Sequence, residues 1–234
     1  MSLLRGLAEE YGIILDGIML EQFDIYRRIL LEWNENMNLT AITGPLEITV
    51  KHFLDSLTLL KAYDIPPSAA LIDIGTGAGF PGIPLKIARP DIKLTLLDSR
   101  EKRLVFLREL SGALGQDDNS FYHARAEDAA HLPELRERFD VAAARAVAAL
   151  PVLCEYCLPF VGVGGVFIAM KGPDCAGEIK AAQSTMALLG GALETVREET
   201  LTDAGERVII LLRKTSQTPT KYPRISAKIS KTPL

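Results

Sequence analysis

The densest chemistry in the chain lies in residues 71–88, Leu-Ile-Asp-Ile-Gly-Thr-Gly-Ala-Gly-Phe-Pro-Gly-Ile-Pro-Leu-Lys-Ile-Ala: an apolar run, a glycine-rich turn and a helical pattern. Gly75, Gly77 and Gly79 permit positive φ and close approach of a ligand to the backbone, and the helix that follows offers N–H groups at its start. Asp73 closes the apolar run beside the turn, where its charge suits an ammonium group or an ordered water better than a pyrophosphate. A second acid, Asp98, closes the next apolar run 19 residues after Gly79, about where a ribose diol is bound. Ala126-Glu127-Asp128 follows the third run. Residues so placed hydrogen-bond an adenine amino group, and an acidic pair at a helix start equally satisfies the helix dipole.

Two cofactor templates fit this turn. Gly77-Ala78-Gly79-Phe80-Pro81-Gly82 satisfies the GxGxxG of dinucleotide binding. Asp73 with Gly75, Gly77 and Gly79 satisfies the D-x-G-x-G-x-G of S-adenosylmethionine-dependent methyltransferases. Asp98 serves either cofactor. Asp73, and the lack of a second catalytic domain of the kind a dehydrogenase needs, favour the methyl donor. The acceptor is narrowed by two missing devices. Methylating a pyrimidine C5 needs a cysteine nucleophile, often after proline, and there is no Pro-Cys dipeptide; an exocyclic amine commonly takes an Asn/Asp-Pro-Pro-aromatic turn, and the one Pro-Pro pair, Pro66-Pro67, precedes the first strand. A ring nitrogen such as guanine N7 carries a lone pair and no proton, so alignment, with donors near O6, suffices.

These residues need a scaffold. Met19, Leu20, Phe23, Ile25, Ile29, Leu30 and Trp33 recur at helical spacing up to the polar stretch Asn34–Thr40. A second helix is expected from Pro45, burying Ile48, Phe53, Leu54, Leu57 and Leu60 and ending at Asp64-Ile65-Pro66-Pro67. From Ala69, apolar strands (69–75, 92–98, 119–128, 139–146, 164–172) alternate with helices (82–90, 99–115, 132–138, 150–160, 178–191), the mark of a parallel sheet covered on both faces. Residues 193–201, a turn at Asp203-Ala204-Gly205 and residues 207–214 read as a closing hairpin. The expectation is therefore α/β: a class I S-adenosylmethionine-dependent methyltransferase fold, Rossmann-like, mostly parallel with one antiparallel strand. Residues 1–65 form an N-terminal helical cap, 66–214 the methyltransferase domain, and 215–234 an extended basic tail.

Composition agrees with a globular chain: 234 residues, 48% hydrophobic and 24% charged. The longest uncharged apolar run near the middle, Tyr156–Met170, has 15 residues with one proline and three glycines, short of the roughly 18 a spanning helix needs. No signal peptide is read at the N-terminus, and three cysteines are too few for a disulfide framework, so a cytoplasmic location is expected. Cys154 and Cys157 have CxxC spacing but sit in an apolar helical run, and Cys175, His123 and His131 add no metal pattern; no metal is expected. Net charge is −4, yet residues 207–234 hold seven Lys/Arg and no acid, which points to a polyanionic partner.

The ordered set Asn38-Leu39-Thr40, His52-x-x-Asp55-Ser56-Leu57, Asp73 through Pro84, Asp98-Ser99 with Lys102-Arg103, Ala144-Arg145-Ala146-Val147, Lys171-Gly172 and Tyr222-Pro223-Arg224 resembles the RsmG (GidB) family, bacterial methyltransferases of guanine N7 in 16S ribosomal RNA. The resemblance implies that Gly75 and Phe80 line the cofactor pocket with Gly77, Gly79, Asp73 and Asp98, and that Ala126 and Glu127 contact adenine. It implies that Arg145 sits beside donor and acceptor, as the leading catalytic candidate, with Lys171 second. Asn38, His52 and Asp55 would wall the RNA substrate, and Arg100, Lys102 and Arg103, cations at an unfavourable helix start, would grip its phosphates. Tyr222 and Arg224 of the tail are also expected at the RNA. The tail departs from the family pattern at Ala227 and Ile229, where a glycine and a proline are expected. The implied partner is 16S rRNA in the small subunit or its assembly intermediate, met by a monomer away from membranes, with S-adenosyl-L-methionine as cofactor.

Overall fold

The computed structural model describes every residue except Asp203, so that position of the expected hairpin turn lies outside the described residues. The chain opens with α1 (Ser2–Glu10) and α2 (Gly17–Met37). Asp16 caps α2 by accepting from the Met19 N–H at 2.8 Å. Asn38 ends it in the left-handed region at φ 49°, a conformation asparagine tolerates. Helix α3 (Pro45–Ile48) runs through a π-helical turn (Thr49–Leu54) into α4 (Asp55–Ala62). Ile48, Phe53, Leu54 and Leu57 are buried as expected, whereas Leu60 is only partly covered.

Five parallel strands follow, β1 (Ala70–Ile74), β2 (Lys93–Asp98), β3 (Ser120–His123), β4 (Phe139–Arg145) and β5 (Val161–Lys171), joined through α5 (Gly82–Ala88), α6 (Glu101–Ala113), α7 (Ala126–Ala129) and α8 (Leu150–Cys157). After α9 (Ala176–Leu188), β6 (Gly191–Leu201) and β7 (Gly205–Lys214) form the hairpin. The sheet order is β3-β2-β1-β4-β5-β7-β6, and β7 runs antiparallel to both β5 and β6. Strand order reverses between β1 and β4, so the crevice beyond their carboxyl ends is the natural ligand position of such a sheet.

Alternation along β4 shows the two cores. Val141 and Ala143 face a layer formed with α1, α2, α4, α5 and α6, while Ala142 and Ala144 face α8 and α9. In the first core Phe23 and Phe53 are fully buried, ring centroids 5.0 Å apart, each burial contributing about 3 kcal/mol. Cys154 and Cys157 are buried in the second core, and desolvation pushes the Cys154 thiol up to about 12. Among the described residues no helix is long and apolar enough to cross a membrane.

Three expectations are corrected. The third strand stops at His123, and residues 126–129, the first three of which fall at the end of the expected strand, form α7. Residues 132–138 form successive turns rather than a helix, because Glu137 takes φ 53° and breaks the run after one turn. The segment from Thr215 is not an extended tail. It packs on the body and carries a short helix, α10 (Ser226–Lys231), with Tyr222 and Ile229 buried.

Candidate functional site

Two cavities open at the carboxyl ends of β1 and β4. The first, about 320 Å³, is lined by Gly75, Asp98, Arg103, Ala126, Glu127, Val147 and Tyr156, among others. The second, about 300 Å³, is lined by Lys51, His52, Asp55, Arg145, Met170, Lys171 and Arg207, among others. They meet at Ala146, which lines both and holds φ 56°. A non-glycine residue in that region is strained, and such strain clusters at functional sites.

The glycine turn divides its labour. Gly75 lines the first cavity at φ 69°, and a Cβ there would meet the Val147 side chain at 2.9 Å. Gly77 takes φ 61° and gives its N–H to Asp98 at 3.0 Å. Gly79 is needed for packing, since a Cβ would lie 2.7 Å from the Tyr26 hydroxyl. Gly77 and Gly79 line neither cavity. Nor does Asp73, which is fully buried inside the turn, accepting from Thr76 Oγ1 at 2.8 Å and Gly82 N–H at 2.9 Å. Burial raises its carboxyl to about 6. Its Oδ2 thus braces the turn, while Oδ1 is buried and, among the described residues, without a hydrogen-bond partner.

Asp98 lies at the cavity wall, its carboxylate accepting from Gly77, the Arg100 N–H at 2.9 Å and Arg103 at 3.1 Å. Glu127 faces the same cavity with Oε1 buried and, among the described residues, without a hydrogen-bond partner. A buried acceptor left open costs on the order of 1–3 kcal/mol, which a donor group on a ligand would offset.

The second cavity is built around one acid. Asp55, 3% exposed, accepts from Arg145 on Oδ2 at 2.8 Å and from Arg207 on Oδ1 at 3.0 Å. Arg145 also donates to the Lys51 carbonyl at 3.1 Å, lies 4.8 Å over the Phe80 ring and reaches His52 Nδ1 at 3.2 Å. Burial and the adjacent Arg145 charge push His52 down to about 4. Since arginine only donates, Nδ1 accepts and the ring proton sits on Nε2, donating to Thr40 Oγ1 at 2.8 Å. His52 stacks on Phe80 at 4.4 Å, so Phe80 supports the site from below without lining either cavity. The π-helical turn carries Lys51 and His52 to this position.

Lys171 lines the second cavity with its Nζ donating to Ala148 O at 2.9 Å and paired with Glu178 at 2.7 Å. Arg100 and Lys102 are exposed at the start of α6 and, with Arg103, line a third hollow of about 350 Å³ next to the first cavity. Asn38 is exposed and caps α2, outside the two cavities. Tyr222 and Arg224, expected at the RNA, line neither cavity: Tyr222 is buried and Arg224 is bound to Glu155 at 2.6 Å. Sequence reasoning missed Arg207 and Lys51 as site residues. Arg207 was visible only as part of the basic stretch, and nothing in its spacing pairs it with Asp55, 152 residues away. Among the described residues no group of three His, Cys, Asp or Glu is arranged for a metal ion.

A profile of the GidB family, described as rRNA small subunit methyltransferase G, matches residues 19–207. The chain is 48% identical over 99% of its length to Ribosomal RNA small subunit methyltransferase G of Alkaliphilus metalliredigens, covering 98% of that protein. It is 49% identical, over 99% of its length and 95% of the relative, to the protein of the same name from Acetivibrio thermocellus. Among solved structures, TrmN from Thermus thermophilus aligns with a TM-score of 0.53 at 23% identity, over 68% of this chain and 48% of that one. P. horikoshii TYW2 in complex with MeSAdo aligns at 0.56 and 15% identity, over 74% and 64% of the two chains. These structural likenesses speak to the fold.

Proposed function

Because this chain belongs to the rRNA small subunit methyltransferase G family, we propose that it transfers the methyl group of S-adenosyl-L-methionine to N7 of a guanine in the 16S rRNA of the small ribosomal subunit. The observation that carries the reading is the pair of cavities meeting at Ala146, one a donor site and the other an acceptor site.

The first cavity fits the donor. Glu127, with its open buried oxygen, would accept from the adenine amino group, beside the Ala126 backbone. Asp98 would take the ribose hydroxyls, and Gly75 leaves room that any side chain would fill. When bound, S-adenosylmethionine supplies an electrophilic methyl group on sulfonium. The chain then has to orient the acceptor and balance charge, and N7 asks for no general base. The acceptor cavity is furnished accordingly: His52 is neutral with both nitrogens engaged, and Asp55 is committed to two arginines. Arg145 and Arg207 present guanidinium groups suited to guanine O6 or a phosphate, and Asp55 holds them in place. Positive charge developing on the base would meet a site whose arginines share a buried carboxylate, rather than bare cations.

Residues 1–65 act in this reading as a cap that gives Lys51, His52 and Asp55 to the acceptor side, while 66–214 supply the donor site. Arg100, Lys102 and Arg103 flank the donor mouth as phosphate contacts. A cytoplasmic location, supported by three buried free cysteines, and action as a monomer on the subunit or an assembly intermediate complete it. The test is methyl transfer from labelled donor to small subunits lacking this modification, followed by borohydride–aniline cleavage at N7-methylguanine. One new cleavage in 16S rRNA is expected; donor binding without any transfer would refute the reading.

A further inference from the structure

Of the four cations in residues 215–234, Arg224 turns inward while Lys221, Lys228 and Lys231 are exposed. The Arg224 side chain donates to both oxygens of Glu155, with distances of 2.8 Å from Nε to Oε1 and 2.6 Å from Nη2 to Oε2, and its backbone N–H adds a third bond at 2.8 Å. Glu155 is wholly buried on α8, directly before Tyr156, which lines the donor cavity. The opposite grip falls just after α7, the helix that carries Ala126 and Glu127. Arg136 donates at once to Ala130 O at 3.1 Å and to Tyr222 O at 2.9 Å, while its second amino group reaches Thr218 O at 2.9 Å. His131 Nε2 donates to Pro223 O at 2.9 Å. Tyr222 and Ile229 are buried against the body, so the departure at Ile229 fills a packed position.

We propose that residues 215–234 are a clasp that holds the α7 and α8 walls of the donor cavity at their working separation, with Arg224 positioning Tyr156 through Glu155. This rests on the donor-site reading above. The clasp role rests on Arg224, which is bound to Glu155 and lines neither cavity, and it is separate from any contact made by the exposed Lys221, Lys228 and Lys231.

The experiment is calorimetric titration of full-length protein with S-adenosylhomocysteine, without RNA, alongside steady-state kinetics on small subunits. Arg224→Gln is expected to raise the Kd about tenfold, the scale of coupling between neighbours that share a network, and to raise the donor KM with kcat and the RNA KM unchanged. Arg224→Lys is expected to recover part of the loss. Should Arg224→Gln fail to fold for want of a partner to Glu155, the double variant Glu155→Gln with Arg224→Gln removes both charges at nearly constant volume, and the same rise is expected. A folded variant that binds like the wild type overturns the clasp, as does a rise in RNA KM with the Kd unmoved. Failure of the wild type itself to bind overturns the donor-site reading instead.

Discussion

His52 and Asp73 are buried ionisable groups whose shifts act on stability with opposite sign. His52 stands at about 4 in the folded chain against 6.5 in the unfolded one. Between those values the unfolded chain binds the additional proton, so this contribution is present above 6.5 and lost as pH falls through 4, amounting to roughly 3 kcal/mol at the limit. Asp73 is raised from 3.8 to about 6. Its contribution is present below 3.8 and lost as pH rises through 6. The two offset each other over pH 4 to 6, and variants separate them. His52→Gln is expected to become less acid-sensitive than wild type, and Asp73→Asn more so. Urea unfolding at pH 4, 5, 6 and 7 reads both; parallel curves for wild type and His52→Gln would dismiss the burial account of His52.

Glycines in different elements separate function from propensity. Gly75→Ala places a Cβ against Val147 at φ 69°, costs about 1–2 kcal/mol of backbone strain, and narrows the donor cavity. It is expected to weaken S-adenosylhomocysteine binding at least as much as it lowers stability. Gly112→Ala lies in the exposed last turn of α6, with nothing within 4 Å of the new Cβ, and is expected to raise stability by about 0.5 kcal/mol without touching binding. Paired thermal melts and titrations decide it, and a stabilised Gly75→Ala would dismiss the steric role of that glycine. The same contrast marks what was legible in the sequence. Periodicity located α2, β1, β2, β4, β5 and β7 by their buried apolar residues and β6 through its turn with β7, while β3, which has no buried residue, was run on through residues 124–128 into α7. It missed α1, gave a helix to residues 132–138 and released the tail, because those outcomes turn on a left-handed Glu137 and on ion pairs between distant residues. Gly75, Asp98, Ala126, Glu127 and Arg145, singled out by motif order, all line one of the two cavities. Arg207 was not legible, and the bracing of the turn by Asp73 Oδ2 was not either, since spacing does not show which groups a buried acid meets.

At the scale of the molecule the question is how a chain of net charge −4 would hold a polyanion. The tail packs on the body with Arg224 bound to Glu155 and keeps three exposed lysines, and the face around the cavities presents a second group of cations. There Arg100, Lys102 and Arg125 are exposed, and Lys51 and Arg207 partly so, while of the acids lining these cavities Asp55, Asp98 and Glu127 are buried and the exposed Glu101 is paired with Arg108. Phosphate contacts release counterions, so three to five of them set a log–log slope of affinity against salt of about −2 to −4 for unpaired RNA. Filter binding to small subunits over a salt series is expected to give that slope. Lys102→Gln should reduce its magnitude by about 0.7, the share of one phosphate contact, whereas Lys228→Gln on α10 should leave it unchanged. If the Lys228 variant flattened the slope and the Lys102 variant did not, the RNA would lie along the tail and the cationic rim of the donor cavity would have no part in holding it.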